Sequence, residues 1–177
     1  MSGLRVVLVC CALVLSACAG RPSLEDAPLS DRQLNLEEFF DGHVTAYGQF
    51  QDVLGNVSRR FEVDINGTWD SERLRLVEDF VYEDDTTERR IWTLVKTGPE
   101  TWAGTAPGVI GTASGREAGD MFNWRYTIDL PIGGGDAVRV GFNDWMWLVA
   151  EYRILNRAYM SRFGIPVGEV IITFERG

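Results

Sequence analysis

Four polar residues occupy positions that should face inward in otherwise apolar segments, which makes them the strongest candidates for chemistry. They are Glu78, Arg90, Asp144 and Asn156. Each alternates in step with large apolar neighbours, as Glu78 does between Leu76 and Phe80. A buried carboxylate without a partner costs several kcal/mol, so each of these groups needs a partner. Because Glu78 and Arg90 lie on consecutive predicted strands, we expect them to pair across a hairpin.

Three interpretations of this polar set stay open. The first is a buried ion pair with its hydrogen bonds, to which Asp144 and Asn156 contribute from the opposite side, and which fixes the strand register. The second is a polar anchor that meets the head group of a ligand inside an apolar cavity. The third is catalytic, because burial would raise the pKa of Glu78 and suit it to act as an acid or base.

The elements that must position these residues have a period of two, which is typical of antiparallel strands with one buried face. Alternating segments occur at residues 44–50, 61–65, 74–82, 122–130, 138–142 and 170–174. Turn signals are Asn66-Gly67, Asp84-Asp85, Gly98-Pro99, Gly133-Gly134-Gly135 and Gly164. We predict an all-β fold of about nine antiparallel strands, in an up-and-down, lipocalin-like barrel or a curved half-barrel. A β-sandwich is the alternative, and residues 34–40 predict a short N-terminal helix.

Aromatic residues share the predicted inward face with the polar set. Those expected to line the interior are Tyr82, Trp92, Trp124 and Tyr126. By contrast, Trp145-Met146-Trp147 cannot place all three side chains on one side of a strand. The outer aromatic surface is therefore either covered by the segment at residues 34–40 or open to a lipid or protein partner.

The N-terminus has the features of a bacterial lipoprotein signal. Arg5 supplies a positive charge, residues 6–15 form an apolar run, and Leu15-Ser16-Ala17-Cys18 matches a lipobox. The run is short for a membrane-spanning helix. We therefore predict cleavage before Cys18 and lipidation of its thiol. An ordinary secretory signal, cut at a nearby site, is the alternative.

This cleavage would divide the chain into a signal peptide at residues 1–17, a lipidated flexible tether at 18–33 and one β domain at 34–177. Aspartate after the lipidated cysteine would favour retention in the inner membrane, but Ala19 stands there. We therefore expect a protein anchored to the bacterial cell envelope by its acyl chains, in the outer membrane and facing the periplasm.

Composition narrows the function further. The formal net charge of −9 disfavours nucleic acid as a partner. Cys10 and Cys11 lie in the segment that cleavage would remove, and Cys18 would carry the lipid, so thiol and disulfide chemistry are not expected in the domain. His43 is the single histidine, and we predict neither a metal site nor a cofactor.

Several short motifs together resemble one bacterial family of uncharacterised lipoproteins, a domain of unknown function, over residues 36–175. They are Glu38-Phe39-Phe40-Asp41-Gly42, Ala46-Tyr47-Gly48, Arg60-Phe61, Gly67-Thr68-Trp69, Leu76-Val77-Glu78-Asp79-Phe80-Val81-Tyr82, Arg90-Ile91-Trp92, Asp144-Trp145-Met146 and Asn156-Arg157-Ala158. The resemblance implies a periplasmic lipoprotein with a lipocalin-like β domain and a lipid-related role. It implies no activity and no catalytic residues. Asp84-Asp85-Thr86 departs from the Asp-Gly turn expected there.

The sequence therefore predicts a membrane-anchored periplasmic lipoprotein that binds a fatty acid, a lipid or another hydrophobic ligand in its barrel. Glu78, Arg90, Asp144 and Asn156 would meet the polar end of that ligand. One alternative is a lipid-modifying enzyme that uses Glu78 as acid or base. Another is a non-catalytic envelope protein that docks a protein partner through the aromatic surface around Trp147.

Overall fold

The computed structural model describes residues 20–26, 30–133 and 136–177. The predicted signal peptide and the predicted lipidation site at Cys18 lie outside the described residues, as do parts of the tether and of the Gly133–Gly135 turn.

Ten antiparallel strands are described, and they form a closed barrel in which each strand pairs with its neighbours in the sequence and β1 pairs with β10. The strands are β1 (Gly42–Asp52), β2 (Val57–Trp69), β3 (Arg73–Tyr82), β4 (Thr87–Lys96), β5 (Thr101–Thr105), β6 (Ala113–Ala118), β7 (Met121–Gly133), β8 (Asp136–Ala150), β9 (Arg153–Arg162) and β10 (Ile165–Arg176). The all-β, up-and-down prediction is confirmed, whereas the half-barrel and sandwich alternatives are wrong. Closure leaves no unpaired edge strand.

The structure has one strand more than the sequence predicted. The two shortest strands, β5 and β6, are five and six residues long and carry inward-facing glycines at Gly104 and Gly115. Their period-two pattern is weak, because an inward glycine contributes no apolar side chain.

The predicted turn at Asn66-Gly67 is wrong, because both residues lie inside β2 and the chain reverses after Trp69. The glycine is needed for a different reason. A Cβ atom at Gly67 would lie 1.6 Å from the carbonyl oxygen of Phe40. Gly67 therefore allows the chain before β1 to pass close to the sheet.

The short helix α1 (Leu36–Phe40) closes one end of the barrel, which we call the closed end. Its apolar side chains are buried, and the ring of Phe40 packs edge-on against Phe174 with 5.5 Å between the ring centroids. The carboxylate of Glu117 accepts a hydrogen bond of 2.8 Å from the backbone N–H of Leu36. This bond satisfies one of the free donors at the start of a helix. The helix predicted at residues 34–40 is thus present and slightly shorter.

The chain that precedes α1 contacts the outer wall of the barrel. The guanidinium of Arg21 lies 5.0 Å from the ring centroid of Tyr159 on β9, and Ser30 donates a hydrogen bond of 2.6 Å to Asp120 beside β7. These contacts lie on both sides of β8, the strand that carries Trp145. Trp145 faces outward and is only 2% exposed, so the alternative of an open aromatic surface does not apply to it.

Candidate ligand-binding cavity

The barrel interior is hollow and contains a cavity of about 250 Å³. Leu36 and Phe40 form part of its floor at the closed end, and the exposed Pro131 lies on its wall near the opposite, open end. The aromatic residues of the wall are Phe50, Phe61, Phe80, Tyr82, Trp92, Phe122, Trp124, Tyr126, Phe142 and Phe174. The volume lies just below the roughly 300–1,000 Å³ that is usual for ligand pockets, so the cavity suits one small molecule.

The aromatic side chains of the cavity wall contact one another in edge-to-face and stacked pairs. Trp92 contacts both Trp124 and Tyr126 edge-on, with centroid distances of 5.7 and 5.1 Å, and Tyr126 stacks on Phe142 at 5.0 Å. Edge-to-face and stacked pairs at these distances are favourable. Gly115 makes room for this wall, because a Cβ atom there would lie 2.5 Å from the indole of Trp124.

The structure places all four aromatic residues predicted from the sequence, Tyr82, Trp92, Trp124 and Tyr126, on the cavity wall. Their role in ligand binding stays a prediction.

A polar cluster interrupts the apolar wall, and we define it as Glu78, Glu88, Arg90 and Asp144. Glu78 on β3 lies directly opposite Arg90 on β4, as the sequence predicted. The direct ion pair, however, joins Arg90 to Glu88, with 2.6 Å between the guanidinium nitrogen and the carboxylate oxygen. Glu88 lies two residues before Arg90 and so shares its inward face. The inward direction of Glu88 was not predicted from the sequence, because the residue follows the acidic turn at Asp84-Asp85.

The other two carboxyl groups of the polar cluster, those of Glu78 and Asp144, are buried, and burial disfavours their charged forms. Burial raises the pKa of Glu78 to about 7, against the opposing charge of Arg90. Burial raises the pKa of Asp144 to about 8, again against Arg90 and with a further increase from Glu78. Asp144 is therefore mostly protonated at neutral pH, and Glu78 is close to its midpoint.

Asp144 also has an unused hydrogen-bonding atom. Its Oδ1 atom is buried and has no hydrogen-bond partner among the described residues. Six buried side-chain atoms of the described residues lack a partner, and Asp144 is the one residue among them that lines the cavity. A ligand in the cavity would provide that partner.

Polar contacts continue from the cluster towards the open end. The hydroxyl of Tyr82 donates a hydrogen bond of 3.0 Å to Glu88, and burial raises the pKa of Tyr82 to about 12. The guanidinium of Arg59 lies 3.4 Å from the ring centroid of Tyr82 and donates a hydrogen bond of 3.1 Å to Asp84. Arg59 and Tyr82 thus form one side of the entrance.

Asn156, the fourth polar residue predicted for the site, does not line the cavity. It is 1% exposed and lies one inward position nearer the closed end than Ala158, which does line the cavity. Its side-chain amide donates a hydrogen bond of 3.2 Å to the backbone carbonyl of Trp145. This contact links β9 to β8, so Asn156 fits the register-fixing interpretation and not the ligand-binding one.

Other chemical candidates lie outside the cavity. His43 pairs with Asp64 at 2.7 Å on the outer surface, where both side chains are about half exposed. Among the described residues, no group of three or more His, Cys, Asp and Glu side chains is arranged to hold a metal ion. No helix in the described part of the chain is long and apolar enough to cross a membrane.

The fold and the cavity define a lipocalin-like antiparallel β-barrel with a hollow interior. The chain belongs to the family described as "Protein of unknown function (DUF3833)", whose model matches residues 12–176. No curated protein sequence matches the chain.

Two solved structures resemble this barrel. The S-type phycobiliprotein lyase CPES from Guillardia theta has a TM-score of 0.58 and 12% identity, and the match covers 81% of this chain and 93% of the lyase. The protein EF1p2_mFAP2b bound to DFHBI has a TM-score of 0.44 and 9% identity, over 79% of this chain and 95% of that protein. At such low identity the likeness to the lyase concerns the fold alone.

Proposed function

We propose that this protein is a lipid-anchored protein of the bacterial cell envelope that holds one small amphipathic molecule in its barrel. The observation that carries the proposal is the cavity of about 250 Å³, whose apolar wall is interrupted by the polar cluster. The apolar part of the ligand would pack against the aromatic wall. Its polar end would meet Glu78, Arg90 and Asp144.

The hydrogen bonding of the polar cluster favours ligand binding over a purely structural role. A structural network in a protein core normally satisfies its own polar groups. Here Asp144 keeps an unpaired buried oxygen, and both Glu78 and Asp144 keep a raised pKa. These groups face the cavity, where the polar atoms of a ligand would complete the network.

The charges of the cluster favour a particular kind of head group. The cluster contains three carboxyl groups and one guanidinium, and that guanidinium is already paired with Glu88. An anionic head would meet no unpaired cation in the cluster, since the charges of Arg90 and Glu88 offset each other, and it would oppose the ionisation of Glu78. A hydroxyl, amide or amine head would instead donate hydrogen bonds to Asp144 and Glu78. We therefore expect a lipid with a hydrogen-bond-donating head group to bind more tightly than a fatty acid with its carboxylate.

The proposed anchor is supported by the sequence around Cys18. A charged start, an apolar run and a lipobox occur in the order that lipidation requires. Ala19, in place of aspartate, supports delivery to the outer membrane. The acidic net charge of −9 leaves the acyl chains as the main membrane attachment.

A lipid-modifying enzyme is the second candidate function. A carboxyl group with a pKa of about 7, as in Glu78, is suited to exchange a proton near neutral pH. Glu78→Gln separates the two functions. A binding protein would keep its ligand in this variant, whereas an enzyme would lose turnover.

The binding proposal can be tested by filling the cavity. Ala158 lines the cavity and is buried, so Ala158→Leu should occupy part of its volume. The matched control is Ala103→Leu on β5, where Ala103 lies between inward-facing Trp102 and Gly104 and so faces outward. We expect Ala158→Leu to weaken binding of a fluorescent long-chain alcohol at least tenfold and Ala103→Leu to leave it unchanged. Equal binding in all three proteins would refute the proposal.

A further inference from the structure

Large apolar side chains are exposed at the open end of the barrel, on two turns that lie side by side. Leu54 in the β1–β2 turn is 83% exposed, and Phe163 in the β9–β10 turn is 88% exposed. The turns are neighbours because β1 pairs with β10 up to Asp52 and Gly168. We define the rim patch as Val53, Leu54, Phe163, Ile165 and Val167. Clustered exposed apolar residues mark an interaction surface.

Phe163 occupies a conformation that does not suit it. Phe163 and Gly164 form a two-residue turn with φ values of 52° and 77°. Turns with two positive φ values favour asparagine followed by glycine, and a bulky residue in the first position is strained. Packing does not compensate for the strain, since the ring is exposed. Strain retained at an exposed aromatic residue points to a role outside the barrel.

The chain enters the described structure near the same end of the barrel. Arg21 lies over Tyr159, four residues before Phe163 on β9, which places it about 13 Å from the rim along the strand. Cys18 precedes Arg21 by three residues in the sequence, and three residues of extended chain span at most about 11 Å. A membrane anchor at Cys18 would thus leave the rim patch within reach of the bilayer.

A second hollow borders both the rim patch and the ligand cavity. Its wall includes Val167 from the rim patch. Phe50 and Arg59 belong both to this wall and to the wall of the cavity. Beside it, the guanidinium of Arg162 lies 5.2 Å from the ring centroid of Phe163. An aromatic ring next to an arginine is suited to the boundary between lipid tails and phosphates.

We propose that the open end of the barrel docks on the membrane surface, with the rim patch inserted among the lipids. The ligand then passes between the bilayer and the cavity without crossing water. The route of the ligand rests on the proposed binding function, whereas the docking rests on the rim patch and on the proposed anchor at Cys18.

The test places an environment-sensitive fluorophore at either end of the barrel in the protein as its bacterial host processes it, and the wild type treated with the same thiol-reactive probe reports any labelling of Cys10, Cys11 or Cys18. Phe163→Cys and Leu54→Cys carry the probe at the rim. Val149→Cys, which is partly exposed near the closed end, is the matched control. The vesicles are phosphatidylcholine, with or without a quencher attached to the acyl chains. We expect a blue shift and quenching at positions 163 and 54, and neither at 149.

Equal, water-like emission at positions 163 and 149 would overturn the docking proposal. A blue shift at 163 that grows with protein concentration in the absence of vesicles would also overturn it, because it would assign the rim patch to a second copy of the chain.

A second variant tests the route of the ligand without risk to the fold. Phe163→Asn suits the turn, so the protein should fold at least as well. We expect transfer of a fluorescent long-chain alcohol from vesicles to the barrel to slow at least threefold, with unchanged equilibrium affinity. Unchanged transfer would reject the direct route. Rim insertion without any binding of the alcohol would leave docking intact and refute the binding function instead.

Discussion

Replacing Glu78 with glutamine removes an ionisable group from the cavity wall and keeps the size of the side chain. The pKa of Glu78 is raised from 4.5 to about 7 by burial. Between these two values the unfolded chain has lost the proton while the folded protein still holds it. The unfolded state therefore binds fewer protons, and the free energy of unfolding falls as the pH rises through this window. At 1.36 kcal/mol for each pKa unit, the loss amounts to about 3 kcal/mol.

The Glu78→Gln variant should not show this loss. Its free energy of unfolding should be close to that of the wild type at pH 4.5 and higher by about 3 kcal/mol at pH 8. Loss of the Glu78 charge also reduces the increase in the pKa of Asp144, because Glu78 contributes to that increase. This second effect also stabilises the variant at high pH. Urea unfolding followed by tryptophan fluorescence at several pH values measures the difference.

The matched control is Glu62→Gln, since Glu62 lies on the exposed face of β2. It should follow the wild type at every pH. A gap between wild type and Glu78→Gln that does not change with pH would refute the reasoning, as would a variant that is less stable than the wild type at pH 8. Either result would mean that Glu78 is ionised and well paired in the folded protein.

Three further predictions concern the ligand, the wall and the anchor. In displacement of a fluorescent probe at pH 8, a long-chain alcohol or amine should bind more tightly than the fatty acid of equal chain length; the reverse order would contradict the assigned head group. Gly115→Ala should lower the free energy of unfolding by about 1–3 kcal/mol, since its Cβ atom would overlap Phe122 and Trp124, and an unchanged urea midpoint would contradict this. Cys18→Ser should abolish incorporation of labelled fatty acid, and retained labelling would reject the lipidation site.

The inward direction of the polar residues could be predicted from the sequence, because a strand alternates its side chains with a period of two. The positions of Glu78, Arg90 and Asp144 followed from this rule alone. Glu88 obeys the same rule, but it lies three residues after the Asp84-Asp85 turn signal and outside the alternating apolar segments. The alternation also predicted that Asn156 faces inward. It does not show how far along the barrel axis a residue lies, and Asn156 lies nearer the closed end than the part of β9 that lines the cavity.

Closure and the hollow interior could not be read from the sequence. Closure depends on pairing between β1 and β10, which are separated by almost the whole domain and share no local signal. Whether a barrel of this size is filled or hollow depends on how every side chain packs against its neighbours. Gly67 shows the same limit, because its close approach to Phe40 is a tertiary contact that looked like a turn signal.

The most direct test of the central claim is native mass spectrometry of the full-length protein, purified from its bacterial host without added ligand. A protein that holds one small amphipathic molecule in a cavity of about 250 Å³ should show a single non-covalent adduct, released on activation. The adduct should disappear in Ala158→Leu and persist in Ala103→Leu. A wild-type protein that carries no adduct and acquires none when incubated with long-chain alcohols, amines or fatty acids would contradict the account.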